Sequence, residues 1–461
     1  MKSRVAGLAI ILLSLAACGG SPDLPEQAPV ALERMPAASL VRVPQDGGRI
    51  QLYHLPDLAP LDWTAADRLG AVSRVVGAMP DPAQIIVLDT KGRLTSLSLA
   101  SGRARSVVTG AALATVGADG SIYSVDSSGA AWAVGRRTPE RYRTGFNGTP
   151  DAIWADASGQ LVGLDASASA LEVFGAADTL SVQPIASGNI TVTPWADLVA
   201  VVTDTAVWLQ RPGSADTPYR LRGVTGAEDA AFSPSGHQLY VATSRGKLVV
   251  VDRFQRTVLH RIALPGPARA VRAGPFGRWL LVRPAKGDSL WVVDLDRDSV
   301  TGTAASSWSR DLPLVSSPNV VVVRRGSDVV ALDLAATGLP EKGRIPGGAD
   351  DRWTSLAWSP ARDAAADALA ADSAARDTTA DSTAAEQVYL QVSSSQNPDW
   401  ATELARKLGA AGLAASVLKP AATGEPYRVV LGPYPSRDAA EATGRTLGMP
   451  YFVIPAPEGA H

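Results

Sequence analysis

The chain has 461 residues, 43 Lys and Arg against 45 Asp and Glu, and a formal charge of −2. That balance excludes a general nucleic-acid or anionic-membrane surface. Apolar residues make up 46%, enough for substantial cores, and a single cysteine excludes an intramolecular disulfide.

Lys2 and Arg4 make a short basic start to the apolar run Val5 to Leu13, which ends in Leu15-Ala-Ala-Cys18-Gly19. An apolar core this short before small residues reads as a secretory signal over 1–18, not a spanning helix. Leu-Ala-Ala-Cys resembles the bacterial lipobox, which implies that Cys18 is lipidated and becomes the membrane-anchored N-terminus. Gly19 stands where the lipoproteins that enteric bacteria retain in the inner membrane usually carry Asp, so the outer membrane is expected. Several acyl chains anchor stably, and the proline-bearing stretch 19–38 reads as a tether.

A repeat then decides the architecture over 39–360. Apolar runs begin at Ile85, Ile122, Leu161, Leu198, Leu239, Leu280 and Val320, spaced 37 to 41 residues apart. Each is followed by a turn and a second apolar strand, as in Lys247–Asp252 and Ser289–Asp294. Turn pairs such as Lys91-Gly92 and Ser235-Gly236 separate them. A period near forty with about four short strands per unit predicts a mainly β chain built as a β-propeller. Phe232-Ser-Pro-Ser-Gly-His-Gln-Leu-Tyr-Val-Ala resembles a blade opening of the WD40-like and surface-layer propeller families. Trp353–Pro360 echoes Asp229–Pro234, the first strand of a blade, yet has no second strand after it. Ser39–His54 supplies two strands without a first. One blade shared by both segments gives eight blades and no open edge; seven is the alternative, with one terminal segment packed beside the ring.

Ala361 to Ala385 is rich in Ala, Asp, Ser and Thr, with Leu369 its only large apolar residue. It predicts a flexible linker spanning roughly 25–30 Å if coil-like.

From 386 to 456 the pattern changes again. Val388, Leu390 and Val392 alternate with Tyr389 and Gln391, as in a strand. Asn397-Pro398 can start a helix, and Ala401, Leu404, Ala405 and Leu408 follow at helical spacing. Ala415–Leu418 and Tyr427–Leu431 read as strands, with Gly432-Pro433 breaking the latter. A helix from Ser436 to Leu447 and a strand over Tyr451–Ile454 complete βαββαβ, an α+β ferredoxin-like unit.

Gln391, Ser394 and Arg428-Val-Val-Leu-Gly-Pro433 in this unit resemble the SPOR domain. The resemblance implies binding of peptidoglycan glycan strands stripped of their peptides, with Gln391, Ser394 and Arg428 on the glycan face. Amide, hydroxyl and guanidinium groups can meet sugar hydroxyls, N-acetyl groups and lactyl carboxylates. The sequence departs from the family at Ser393, usually glycine, at Ser395, usually aromatic, and at Pro426, where some members carry a stacking aromatic. Tyr389 is expected to supply a stacking surface instead.

No catalytic or metal-binding pattern stands out. His54, His237, His260 and His461 lack ligand spacing, and no P-loop, nucleophile elbow or His-Glu-x-x-His occurs. Asp89, Asp126, Asp165, Asp252, Asp294 and Asp333 recur at strand ends, where turn chemistry is expected. The combined expectation is a non-enzymatic, cofactor-free lipoprotein on the periplasmic side of the envelope. Its SPOR domain would bind denuded glycan, which is enriched at the division septum, and its propeller would bind an envelope protein. The alternatives are a glycan-modifying enzyme targeted by the SPOR domain, and an outer-membrane assembly scaffold.

Overall fold

The structure, a computed structural model, describes residues 39–80, 83–117, 120–134, 139–156, 159–175, 179–356, 358, 388–395, 398–410, 413–420, 427–434, 440 and 452–455. The expected signal segment with Cys18, the tether and the linker all lie outside the described residues.

Among the described residues, seven four-stranded antiparallel sheets follow one another along 72–345, spanning 72–108, 111–141, 152–184, 189–220, 227–263, 268–305 and 314–345. In each, strand order equals chain order, the up-and-down blade of a propeller. An eighth, three-stranded sheet joins the two ends: Gln51–His54, Ser39–Val43 and Arg352–Leu356, in that order. Arg352–Leu356 touches the first strands of both the seventh and the first blades, Leu314–Ser317 and Val72–Pro80. The ring therefore closes with eight blades.

The packing explains why the apolar runs are continuous instead of alternating. Buried side chains fall into clusters that each sit between two successive blades. In blade four, Val199 and Val201 join Val162, Leu171 and Val173 of blade three. Ala200 and Val202, on the other face of the same strand, join Phe232, Leu239 and Val241 of blade five. The same division recurs around the circle, and among the described residues every one of the eight gaps holds such a cluster. A strand buried on both faces has no polar side, so it reads as an uninterrupted Val/Leu run.

The shared blade is fastened by more than its ladder. Ser39 pairs with Leu356 and Val43 with Arg352. The buried Ser39 hydroxyl donates to the Trp358 carbonyl at 2.6 Å. Arg42 donates through Nε to Asp351 at 2.6 Å and lies over the Trp353 ring. Trp63 packs edge-on against Trp358, with centroids 6.3 Å apart. Each contact joins a residue within 39–63 to one within 351–358, so closure depends on both segments.

The recurrent aspartates prove to be turn-formers. Asp89 Oδ1 accepts the Lys91 and Arg93 amides at 2.8 and 2.7 Å. Asp126, Asp165, Asp252, Asp294 and Asp333 likewise each accept a main-chain N–H two or three residues on. These carboxylates satisfy amides that the hairpin turns would otherwise strand.

Other aspartates link blades. Asp197, in the first hairpin of blade four, grips the buried Arg253 of blade five with both carboxylate oxygens. Burial alone would raise the Asp197 carboxyl. The hydrogen bonds and charge of Arg253, with the Thr193 hydroxyl, outweigh it and hold the group below the ordinary aspartate value. A carboxyl depressed in the folded state stabilises above its unfolded pKa of about 3.9, and that contribution drains away as pH falls below it. Asp197→Asn should therefore lower stability at pH 7 and flatten its decline between pH 5 and 2, as read by urea melts across that range. Asp311 has the opposite sign: burial raises it, although it accepts the Trp353 amide of the closing blade.

Candidate functional site

The terminal module forms one four-stranded antiparallel sheet in the order Ala415–Leu418, Tyr427–Tyr434, Val388–Ser395, Phe452–Pro455. This is the strand order of a ferredoxin-like unit. Its helix Pro398–Ala410 starts at the proline foreseen as its first residue. Ala401, Leu404, Ala405 and Leu408 pack with Leu390, Val392, Val429 and Leu431, which makes that side of the sheet the core. Of the second expected helix, only Ala440 is described; it is helical and fully buried in this core. Asn397 and Tyr451 lie outside the described residues.

Two features differ from the sequence expectation. Gly432-Pro433 does not end its strand, which runs on to Tyr434. Pairing steps from Leu390↔Leu431 to Val388↔Tyr434, so a bulge absorbs the extra residue and the ladder resumes. Gly432 has φ of 128°, and a Cβ there would come within 3.2 Å of both the Tyr389 ring and the Val388 carbonyl. Only glycine meets both demands.

The second difference concerns the site. A further bulge shifts the register between Gln391, opposite Val430, and Ser393, opposite Val429. One residue later, Ser394 is the direct cross-strand partner of Arg428. Simple alternation from Gln391 assigns position 394 to the core-side set. The bulge instead brings its backbone level with Arg428.

Gln391 and Arg428 lie on the face away from the helix, each half-buried. Among the described residues, neither side chain has a hydrogen-bond or ion-pair partner within the fold. Val430 between them is fully buried. The arrangement is an apolar floor flanked by an amide and a guanidinium whose donors are open to a ligand.

Tyr389 requires a correction. It shares the alternation of Gln391, but only 7% of it is exposed and its ring packs beside Gly432. A ring so covered offers no open stacking face. Ser416 and Leu418, which pair with Val430 and Arg428, extend the same face and were missed. Their alternation with Ala415 and Val417, both in the core, was the signal that could have found them.

The comparisons agree with this division of the chain. The SPOR domain family matches residues 384–448. No curated protein matches the chain. The chain is similar in structure to the dihydro-heme d1 dehydrogenase NirN in complex with DHE, with 13% identity and a TM-score of 0.51, covering 71% of this chain and 77% of that one. It is also similar to apo AztD from Citrobacter koseri, with 12% identity and a TM-score of 0.50, covering 69% and 98%. Identities this low carry the fold alone, and both neighbours are β-propeller proteins. Among the described residues, no helix is long and apolar enough to cross a membrane. SPOR domains bind peptidoglycan, which supports a cell-wall partner and a cell-envelope location. The chain thus joins a β-propeller to a SPOR domain that occupies residues 384–448.

Proposed function

We propose that this chain is a lipid-anchored, non-enzymatic protein of the cell envelope. Its SPOR domain holds peptide-stripped glycan, and its propeller is presented to an envelope protein, most usefully at the division septum where such glycan accumulates. The observation that carries the reading is the helix-free face of the terminal sheet, where Gln391 and Arg428 flank a buried Val430 and have no partners of their own among the described residues. Cys18, the sole cysteine, stands where a lipidated residue is expected.

The test is the localisation of a fluorescent fusion in three forms: intact, lacking 386–461, and carrying Cys18→Ser. Septal bands that vanish without 386–461 support targeting by the module. A peripheral signal unchanged by that truncation removes the septal role. Release of the Cys18→Ser form into the soluble periplasmic fraction supports lipidation, and full membrane retention refutes it. Incubating the purified chain with peptidoglycan checks the non-enzymatic part, since released glycan fragments would overturn it.

A further inference from the structure

A pocket lies on the propeller. Blade four's outer strands, Val207–Gln210 and Tyr219–Arg220, and the turn at 252–256 of blade five enclose a cavity of about 490 Å³. That is within the range of small-ligand sites.

Its polar groups are organised around charge. Three guanidiniums line it, from Arg211, Arg253 and Arg256, against one carboxylate, Asp216. Arg253 is already committed to Asp197 and to the turn of blade four. Arg256 differs. It is exposed, its guanidinium lies 4.8 Å from the Tyr219 ring centroid, and it has no hydrogen-bond acceptor among the described residues. The cation–π contact with the ring anchors it while its N–H donors stay open among the described residues, and an arginine with open donors can take a carboxylate in a two-pronged grip.

The remaining lining is suited to a sugar. Gln210 is only 7% exposed and makes no side-chain hydrogen bond among the described residues, so its amide is available inside the cavity. Phe254, at the rim, is 44% exposed, one of three large apolar residues so open among the described residues. One face of the Phe254 ring lies under the Arg253 guanidinium, 4.7 Å from the centroid, and the other can stack on a pyranose ring, while an amide and the Thr217 hydroxyl can meet N-acetyl and hydroxyl groups.

We propose that this cavity binds a carboxylate-bearing N-acetylated sugar, with the carboxylate on Arg256, the ring against Phe254 and the polar substituents on Gln210 and Thr217. On the reading that the terminal module holds peptide-stripped glycan, the ligand is the lactyl-bearing sugar of that same strand, and the chain grips glycan at two places. Two linked weak sites then raise the overall affinity far above either one.

The test uses the full chain and calorimetric titration with N-acetylmuramic acid, against N-acetylglucosamine as the same ring without the carboxylate. We expect saturable binding with at least tenfold preference for the carboxylated sugar. Arg256→Asn, chosen because asparagine tolerates the left-handed backbone at 256 (φ 57°), should weaken it tenfold or more. Tyr219→Leu, which removes the stacking platform while keeping bulk, should do the same, and both losses should persist when Arg428→Ala also removes the module's contribution. Binding lost in Arg428→Ala and intact in both propeller variants would place the sugar on the module and overturn the proposal. Equal affinity for both sugars, or equal competition by a short acidic peptide, would overturn it too. The module's own reading fails separately, when Arg428→Ala sediments with glycan strands as well as the parent chain does.

Discussion

Arg428→Ala should weaken binding of the chain to peptide-stripped glycan strands by tenfold or more and leave its unfolding transition in place. The two halves of that outcome have separate causes. Arg428 is half-buried beside the fully buried Val430, and no carboxylate or carbonyl among the described residues occupies its guanidinium. Removing it therefore breaks no internal bond. A hydrogen bond to an ionised partner contributes about 1.5–3 kcal/mol, which is roughly a ten- to hundredfold change in affinity. Gln391→Ala, losing a neutral donor and acceptor, should cost less, by the ~0.5–1.5 kcal/mol of an uncharged bond. Co-sedimentation with denuded and with peptide-bearing sacculi measures both. Loss of folding in either variant would show that its side chain serves the core.

The largest effect on stability is expected at the shared blade. Leu40→Ala should destabilise the propeller by about 3–4 kcal/mol, within the range for emptying a buried leucine site. Leu40 is fully buried and packs with Tyr53, Val320, Val322, Val329 and Trp353, so its cavity would open between the seventh blade and the blade that closes the ring. The neighbours are held by strands from both ends of the propeller and cannot collapse into the space without parting them. Denaturant melts of the parent chain and the variant provide the measurement. A loss below about 1 kcal/mol, the level of an ordinary surface change, would mean that the Ser39–Val43 strand is only laid against the ring.

Much of the fold was legible because propeller strands buried on both faces cannot hide their composition. Val199–Val202 and Lys247–Asp252 announced themselves as unbroken apolar runs. The shared blade was legible through the echo between Trp353–Pro360 and Asp229–Pro234. Apart from that first strand, most first and fourth strands of the blades were not. Val72–Pro80 and Ala268–Ala273 carry Arg74 and Arg272, whose side chains reach main-chain carbonyls of the next blade, Ala114 and Pro313 respectively. A polar residue serving a neighbouring blade breaks the apolar pattern of its own strand. Pro139–Arg141, at an outer edge, is exposed throughout and has no pattern to read. In the terminal module, helix and strand periods were enough to place Gln391 and Arg428 on one face. The bulges beside Gly432-Pro433 and after Gln391 were invisible because a one-residue offset exists only between two strands. For the same reason the burial of Tyr389 was missed: its neighbour Gly432 is 43 positions away and becomes adjacent only through the ladder.

The register of the shared blade has a mechanical consequence. Ser39, where the chain enters the ring, is paired with Leu356, close to where it leaves. Both free ends therefore emerge at the same end of one antiparallel strand pair. Tension drawing the two segments apart loads this ladder as a zipper, one rung at a time from Ser39–Leu356 inward, and never shears all five pairs together. The buried Ser39 hydroxyl bond to Trp358 sits just outside the first rung and takes the load before the ladder does. A ring packed across eight gaps thus has one seam that yields to modest force, and single-molecule pulling from its two ends should open that seam first.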